Sequence, residues 1–160
     1  MSKTRIKLAK TIVQWNDIKH IRPKDDNFYL VAEEVDLVCV HRKIRTIEML
    51  RPSQFEQHYE KNFYRRTVTH WAELPKPFGH PASTAGWQEF PLVPPPSHDG
   101  GLSLLVTLDK RYTVDATTKR RIFVTVRQGN CDLFFPTKNP KTTCKITAWA
   151  LVPDLPKQGE

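Results

Sequence analysis

The stretch Thr69-His70-Trp71-Ala72-Glu73-Leu74-Pro75-Lys76-Pro77 returns near the C-terminus as Thr147-Ala148-Trp149-Ala150-Leu151-Val152-Pro153-Asp154-Leu155-Pro156. The two share Thr-x-Trp-Ala-x-x-Pro. A second tryptophan precedes each at a similar distance, in Gln14-Trp15-Asn16-Asp17-Ile18 and in Gly86-Trp87-Gln88-Glu89-Phe90. Two tryptophans in register at both ends of both segments mark an internal duplication, so the chain is expected to fold as two versions of one unit. The expected division is a first β-rich unit over 1–78, a linker over 79–84 where Gly, His, Pro and Ser lack periodicity, and a second β-rich unit over 85–160. Lobes of roughly 70 to 80 residues bury enough surface to fold without disulfides or metals.

Hydrophobic spacing predicts a mainly β protein, with α+β as the variant. Alternation suggests a strand from Arg5 to Trp15. β-branched and aliphatic runs place strands near 28–32, 35–41, 44–50 and 63–72. Ser53 followed by Glu56 reads as a capping box, and Phe55 and Tyr59 share a helical face, so one short helix is expected near 54–61. In the second half, strands are expected over 102–108, 111–114, 121–127, 131–135 and 142–151. Asp109-Lys110 reads as a turn and residues 115–121 as a loop. The thirteen prolines fall almost wholly between these strands, as they must when proline cannot donate to a ladder. Two small sheets packed about a pseudo-twofold axis is the favoured architecture, and a single continuous sandwich the alternative.

A tryptophan opening a unit, a proline-bearing polar turn, β-rich middle strands and a closing Thr-His-Trp-x-x-Leu-Pro-x-Pro resemble the phage and prophage family called domain of unknown function 551. Thr69 to Pro77 carries the closing motif, while the second copy has Ala148 for the histidine and Val152 for the leucine. The resemblance implies a small phage-type accessory protein, and by analogy one that occupies a host enzyme's surface in host takeover or counter-defence, as an inhibitor.

Catalytic patterns are weak. Cys39 and His41 sit two apart on an expected strand, but with Val38 and Val40 around them they read as a buried thiol beside a surface histidine. The six histidines form no HExxH or HxH pattern, and Cys39, Cys131 and Cys144 have no CxxC spacing. No phosphate-binding glycine loop occurs, and the carboxylate pairs Asp25-Asp26 and Glu33-Glu34 read as solvated turns. His70 reads as structural, since Ala148 takes its place in the second copy. The four tryptophans read as core side chains that pin strand register rather than as platforms for bases. No cofactor, no metal and no enzymatic activity are expected.

What remains is charge. A formal net charge of +8 favours acidic partners. Basic residues interleave with aromatic and aliphatic ones in His41-Arg42-Lys43-Ile44-Arg45, Phe63-Tyr64-Arg65-Arg66 and Lys119-Arg120-Arg121-Ile122-Phe123. Arg42, Lys43, Arg45, Arg65, Arg66, Lys119, Arg120 and Arg121 are therefore the expected contact residues, presented beside loops at 22–27, 93–101, 115–121 and 136–141. The expected function is binding to a host protein, with direct nucleic-acid binding by the basic faces as the alternative. A homodimer or a bivalent ligand is compatible with two tandem units. With no apolar run long enough to span a bilayer and no apolar core behind the basic N-terminus, a cytoplasmic protein is expected.

Overall fold

A computed structural model describes residues 10–37, 40–56, 64–83, 85–95, 103–114, 117–128 and 143–157, with backbone alone at 64, 110–114, 117–123, 128 and 143–144. It is mainly β, with two four-stranded antiparallel sheets of one topology. The first contains β1 (Asn16–Asp17), β2 (Tyr29–Leu37), β3 (Arg42–Leu50) and β4 (Tyr64–Ala72) in the order β1-β4-β2-β3. The second contains β5 (Gln88–Glu89), β6 (Ser103–Val114), β7 (Thr117–Gln128) and β8 (Thr143–Leu151) in the order β5-β8-β6-β7.

Register ties each residue of the repeated motif to a job done twice. β2 and β4 slip by one residue, so that Ala32 faces His70 while Glu33 faces Val68 and Thr69 is the extra residue. β6 and β8 slip at the matching place, leaving Thr147 extra. A bulge leaves a residue outside the ladder, and its polar groups need other partners. The Thr69 hydroxyl donates to the Ala32 carbonyl at 3.2 Å and the Thr147 hydroxyl to the Thr107 carbonyl at 3.2 Å. The carbonyl of Thr69 accepts from Ile18 N–H, and that of Thr147 from Phe90 N–H. Two residues on, the Trp71 indole donates to the Ile21 carbonyl and the Trp149 indole to the Val93 carbonyl, both at 2.8 Å. Ala72 and Ala150 are fully buried. Thr69→Val or Thr147→Val, each nearly isosteric, is expected to cost about 1 kcal/mol by stranding one bulge carbonyl. Urea unfolding of the two single variants measures it, and the account expects equal losses.

Each sheet has its own apolar cluster. Val31, Leu50, Phe55 and Val68 pack with Ile18 and Trp71 in the first; Leu104, Val106, Leu108, Ile146 and Trp149 pack with Phe90, Val93 and Leu151 in the second. Leu30, Ala32 and Leu105 alternate with these and are also buried, so the inner strands are covered on both faces. That is why Tyr29-Leu30-Val31-Ala32 and Leu104-Leu105-Val106 read as unbroken apolar runs. Among the four indoles Trp149 is core at 2 % exposure, Trp71 packs against the core, and Trp15 and Trp87 are half-buried.

By compactness the chain divides into one unit of Val13–Leu74 with Asp154–Glu160 and another of Met1–Ile12 with Pro75–Pro153. Each unit thus holds one sheet and the tail of the closing motif whose strand belongs to the other. The opening tryptophan of each unit secures that segment: Trp15 donates to the Asp154 carbonyl and Trp87 to the Lys76 carbonyl, each at 3.0 Å.

Several expectations are corrected. No strand runs through 10–15, the described part of the expected Arg5–Trp15 strand, and pairing begins only where Asn16 and Asp17 meet Trp71 and His70. The helix expected over 54–61 is not present in its described part: a 3-10 turn, Pro52–Gln54, precedes a turn at 55–56, and 57–61 lie outside the described residues. Its cap differs too, because Ser53 spends its N–H and hydroxyl on Asp26, while Gln54 Oε1 accepts the Arg51 N–H at 2.9 Å. Asp109 and Lys110 form no turn: β6 is a central strand, and ladders on both sides carry it straight through them. The loop expected over 115–121 is strand from Thr117 onward. The strand expected over 131–135 and the loop at 136–141 lie outside the described residues.

Candidate functional site

The basic residues singled out in the sequence fall at equivalent places of the two sheets. Counting rungs from the bulges, Arg42 on β3 matches Lys119 on β7, and Lys43 matches Arg120. Arg45 and Arg121 lie on the same strands, one rung out of correspondence. Both strands are sheet edges, where charge blocks pairing with another chain. Arg65 and Arg66 begin β4, and their counterparts in β8 are Thr143 and Cys144.

What lies opposite these cations differs sharply. In the first sheet Asp36 stands between Lys43 and Arg65, Glu34 faces Arg45, and Glu33 reaches Arg66. Lys43 pairs with Glu34 at 3.6 Å. Arg45 is drawn elsewhere, its Nη2 donating to the Pro156 carbonyl at 2.7 Å. Arg42 and Arg65 are exposed. Of the eight expected contact residues, Lys43, Arg45 and Arg66 are therefore engaged within the fold.

In the second sheet the rungs are Lys110 opposite Arg121 and Arg111 opposite Arg120, with Lys119 opposite Tyr112. Asp36 has become Arg111, Val35 has become Lys110, and Glu33 has become Leu108. Lys145 is added on β8, opposite Asp109. Over matched rungs the first sheet sets Glu33, Glu34 and Asp36 against Arg42, Lys43, Arg45, Arg65 and Arg66, whereas in the second Asp109 is the sole carboxylate against Lys110, Arg111, Lys119, Arg120, Arg121 and Lys145. Like charges directly across a ladder oppose folding. Sequence reading missed Lys110, Arg111 and Lys145. An uninterrupted β6 is what brings the first two beside β7, and the apparent Asp109-Lys110 turn concealed it.

The remaining chemistry is structural. Glu33 is 2 % exposed, and its Oε2 lies 2.6 Å from Arg66 Nε without an aligned hydrogen bond; Thr46 donates to its Oε1 at 3.2 Å. Burial pushes the Glu33 carboxyl above the ordinary glutamate range, and Glu48 adds to this, while Arg66 and Thr46 pull it down by less. Tyr29 donates its hydroxyl to Asp25, which, with burial second, pushes the phenol up to about 12 and holds Asp25 low. The Tyr29 ring meets Trp71 edge to face at 5.2 Å.

His70 is half-buried with its Nδ1 3.0 Å from the Thr69 hydroxyl, and its counterpart Ala148 is fully buried. The strand expected over 35–41 ends at Leu37, and His41 sits in a turn at φ 50° rather than on a strand beside Cys39, which lies outside the described residues. Among the described residues no three His, Cys, Asp or Glu side chains are grouped to hold a metal ion, and no helix is long and apolar enough to cross a membrane.

No family model, curated protein or solved structure matches the chain.

Proposed function

We propose that this is a non-catalytic binding protein that engages an acidic face of a host protein, with the far half of the β6–β7 hairpin as its contact surface. The observation that supports it is the rung arrangement Lys110/Arg121 and Arg111/Arg120, which sets basic residues at facing register positions where the matching rungs of the first sheet are the uncharged Val35/Ile44 and the oppositely charged Asp36/Lys43. A preassembled cation surplus raises the encounter rate with an acidic surface and gains energy when that surface neutralises it. The phage-family resemblance supplies the host and the role: occupying a host enzyme in its cytoplasm, as takeover or counter-defence proteins do. The first sheet, its cations largely matched by Glu33, Glu34 and Asp36, serves chiefly as scaffold.

A second reading has an observation of its own. Cations spaced along two paired strands also suit a phosphate backbone, so direct nucleic-acid binding is the competing function. Capture from a bacterial host lysate separates them. The protein reading expects an acidic protein that stays bound after nuclease treatment and is lost when Lys119, Arg120 and Arg121 are changed to Glu. Capture abolished by nuclease, with affinity falling steeply and linearly in log salt, would replace it with the nucleic-acid reading.

A further inference from the structure

The segment after β8 is bound like a ligand. Residues 152–157 join no strand. Pro153 and Pro156 are buried, Asp154 between them is exposed and Leu155 is half-buried, a three-residue spacing that a polyproline II segment presents. Such a segment makes no internal hydrogen bonds, so its carbonyls are free for outside donors. Two donors meet them: the Trp15 indole at the Asp154 carbonyl, 3.0 Å, and the Arg45 guanidinium at the Pro156 carbonyl, 2.7 Å. An aromatic ring whose N–H takes a carbonyl within Pro-x-x-Pro, with a second polar anchor two residues on, is how proline-rich peptides are held in aromatic grooves.

In the second unit the Lys76 carbonyl, between Pro75 and Pro77, accepts from the Trp87 indole and from the Ser83 hydroxyl, at 3.0 and 3.1 Å, and Ile122 stands at the register position of Arg45. Because Pro153–Pro156 adds no rung to a sheet, its release breaks no ladder and requires only local opening.

We propose that Trp15 and Arg45 form a recognition site for an extended Pro-x-x-Pro segment of a partner protein, with Pro153-Asp154-Leu155-Pro156 as the resident ligand that such a segment displaces. This site is separate from the cationic hairpin, and either holds without the other.

The test uses a labelled synthetic peptide with the sequence of residues 150–159. A resident ligand on a short tether competes at an effective concentration in the millimolar range, so the full chain carrying Pro153→Ala and Pro156→Ala is expected to bind the peptide about tenfold more tightly than the unaltered chain. Adding Trp15→Phe, which keeps the ring and removes the N–H, or Arg45→Met is expected to reverse that gain, and a peptide with both prolines changed to alanine is expected not to bind. In the unaltered chain, the indole N–H resonance assigned to Trp15 by its loss in Trp15→Phe should shift as peptide is added. Equal affinity for the unaltered and proline-substituted chains, or binding indifferent to Trp15→Phe and Arg45→Met, overturns the proposal. So does a Trp15 resonance unmoved by millimolar peptide.

Discussion

Trp149→Ala is expected to destabilise the second sheet by about 3 to 5 kcal/mol, the range for truncating a large buried aromatic. The ring is 2 % exposed at the centre of the cluster with Leu104, Val106, Leu108 and Ile146, and its N–H satisfies the Val93 carbonyl, which the truncation strands. Trp149→Phe separates the terms, restoring most of the packing and leaving the carbonyl loss of about 1 kcal/mol. Trp87→Ala serves as control. Its half-buried ring is bonded to Lys76 and lies outside the core cluster, so the expected loss is smaller. Denaturant unfolding followed by circular dichroism ranks the three variants, and a Trp87→Ala loss equal to that of Trp149→Ala would mean that the core is drawn wrongly.

Arg66→Met is expected to cost about 3 to 5 kcal/mol at neutral pH, because it leaves the buried Glu33 carboxylate without a counter-charge. The pH dependence has an unusual sign. A carboxyl whose folded pKa lies above its unfolded value favours the fold fully below the unfolded value, and that contribution is lost as pH rises through the folded one. Burial already raises Glu33 with Arg66 present, and removing the cation raises it further. The gap between Arg66→Met and the unaltered chain should therefore narrow on acidification through and just above the ordinary glutamate range. The opposite trend would show that Glu33 is not buried as described. The double change Glu33→Leu with Arg66→Val is expected to recover stability to within about 1 kcal/mol of the unaltered chain, as apolar replacement of buried ion pairs commonly does. The protein contains the precedent, since Leu108 and Cys144 occupy those two register positions in the second sheet.

The duplication and the β class were legible because the features that specify them are local. Thr-x-Trp-Ala recurs since one bulge residue, one indole and one small side chain are needed at each closing strand. The bulge itself is invisible in one dimension: it is a relation between β4 and β2, or between β8 and β6, and neither strand alone shows a slip. The same limit explains the misread turn at Asp109-Lys110. Charged residues ordinarily end a strand, but β6 has neighbours on both sides, and tertiary pairing overrides local propensity.

The candidate site was legible as a list of basic residues and not as an arrangement. Which cations are spent, as Arg66 on Glu33 and Arg45 on Pro156, and which stand opposite other cations, follows from register between segments tens of residues apart. The Pro-x-x-Pro at Pro153–Pro156 was visible as part of the repeat, but nothing in the sequence says that Trp15 and Arg45 would meet it.

Asymmetry between two sheets of one design is the core of this account, and matched charge reversals measure it. Two variants, Lys119→Glu/Arg120→Glu/Arg121→Glu and Arg42→Glu/Lys43→Glu/Arg65→Glu, are compared for affinity toward the same captured partner at one salt concentration, with unfolding curves to verify that both remain folded. The account predicts at least about a tenfold loss, ~1.4 kcal/mol, for the first and less than about a threefold loss for the second. Equal losses, or a larger loss from the first sheet, would contradict it.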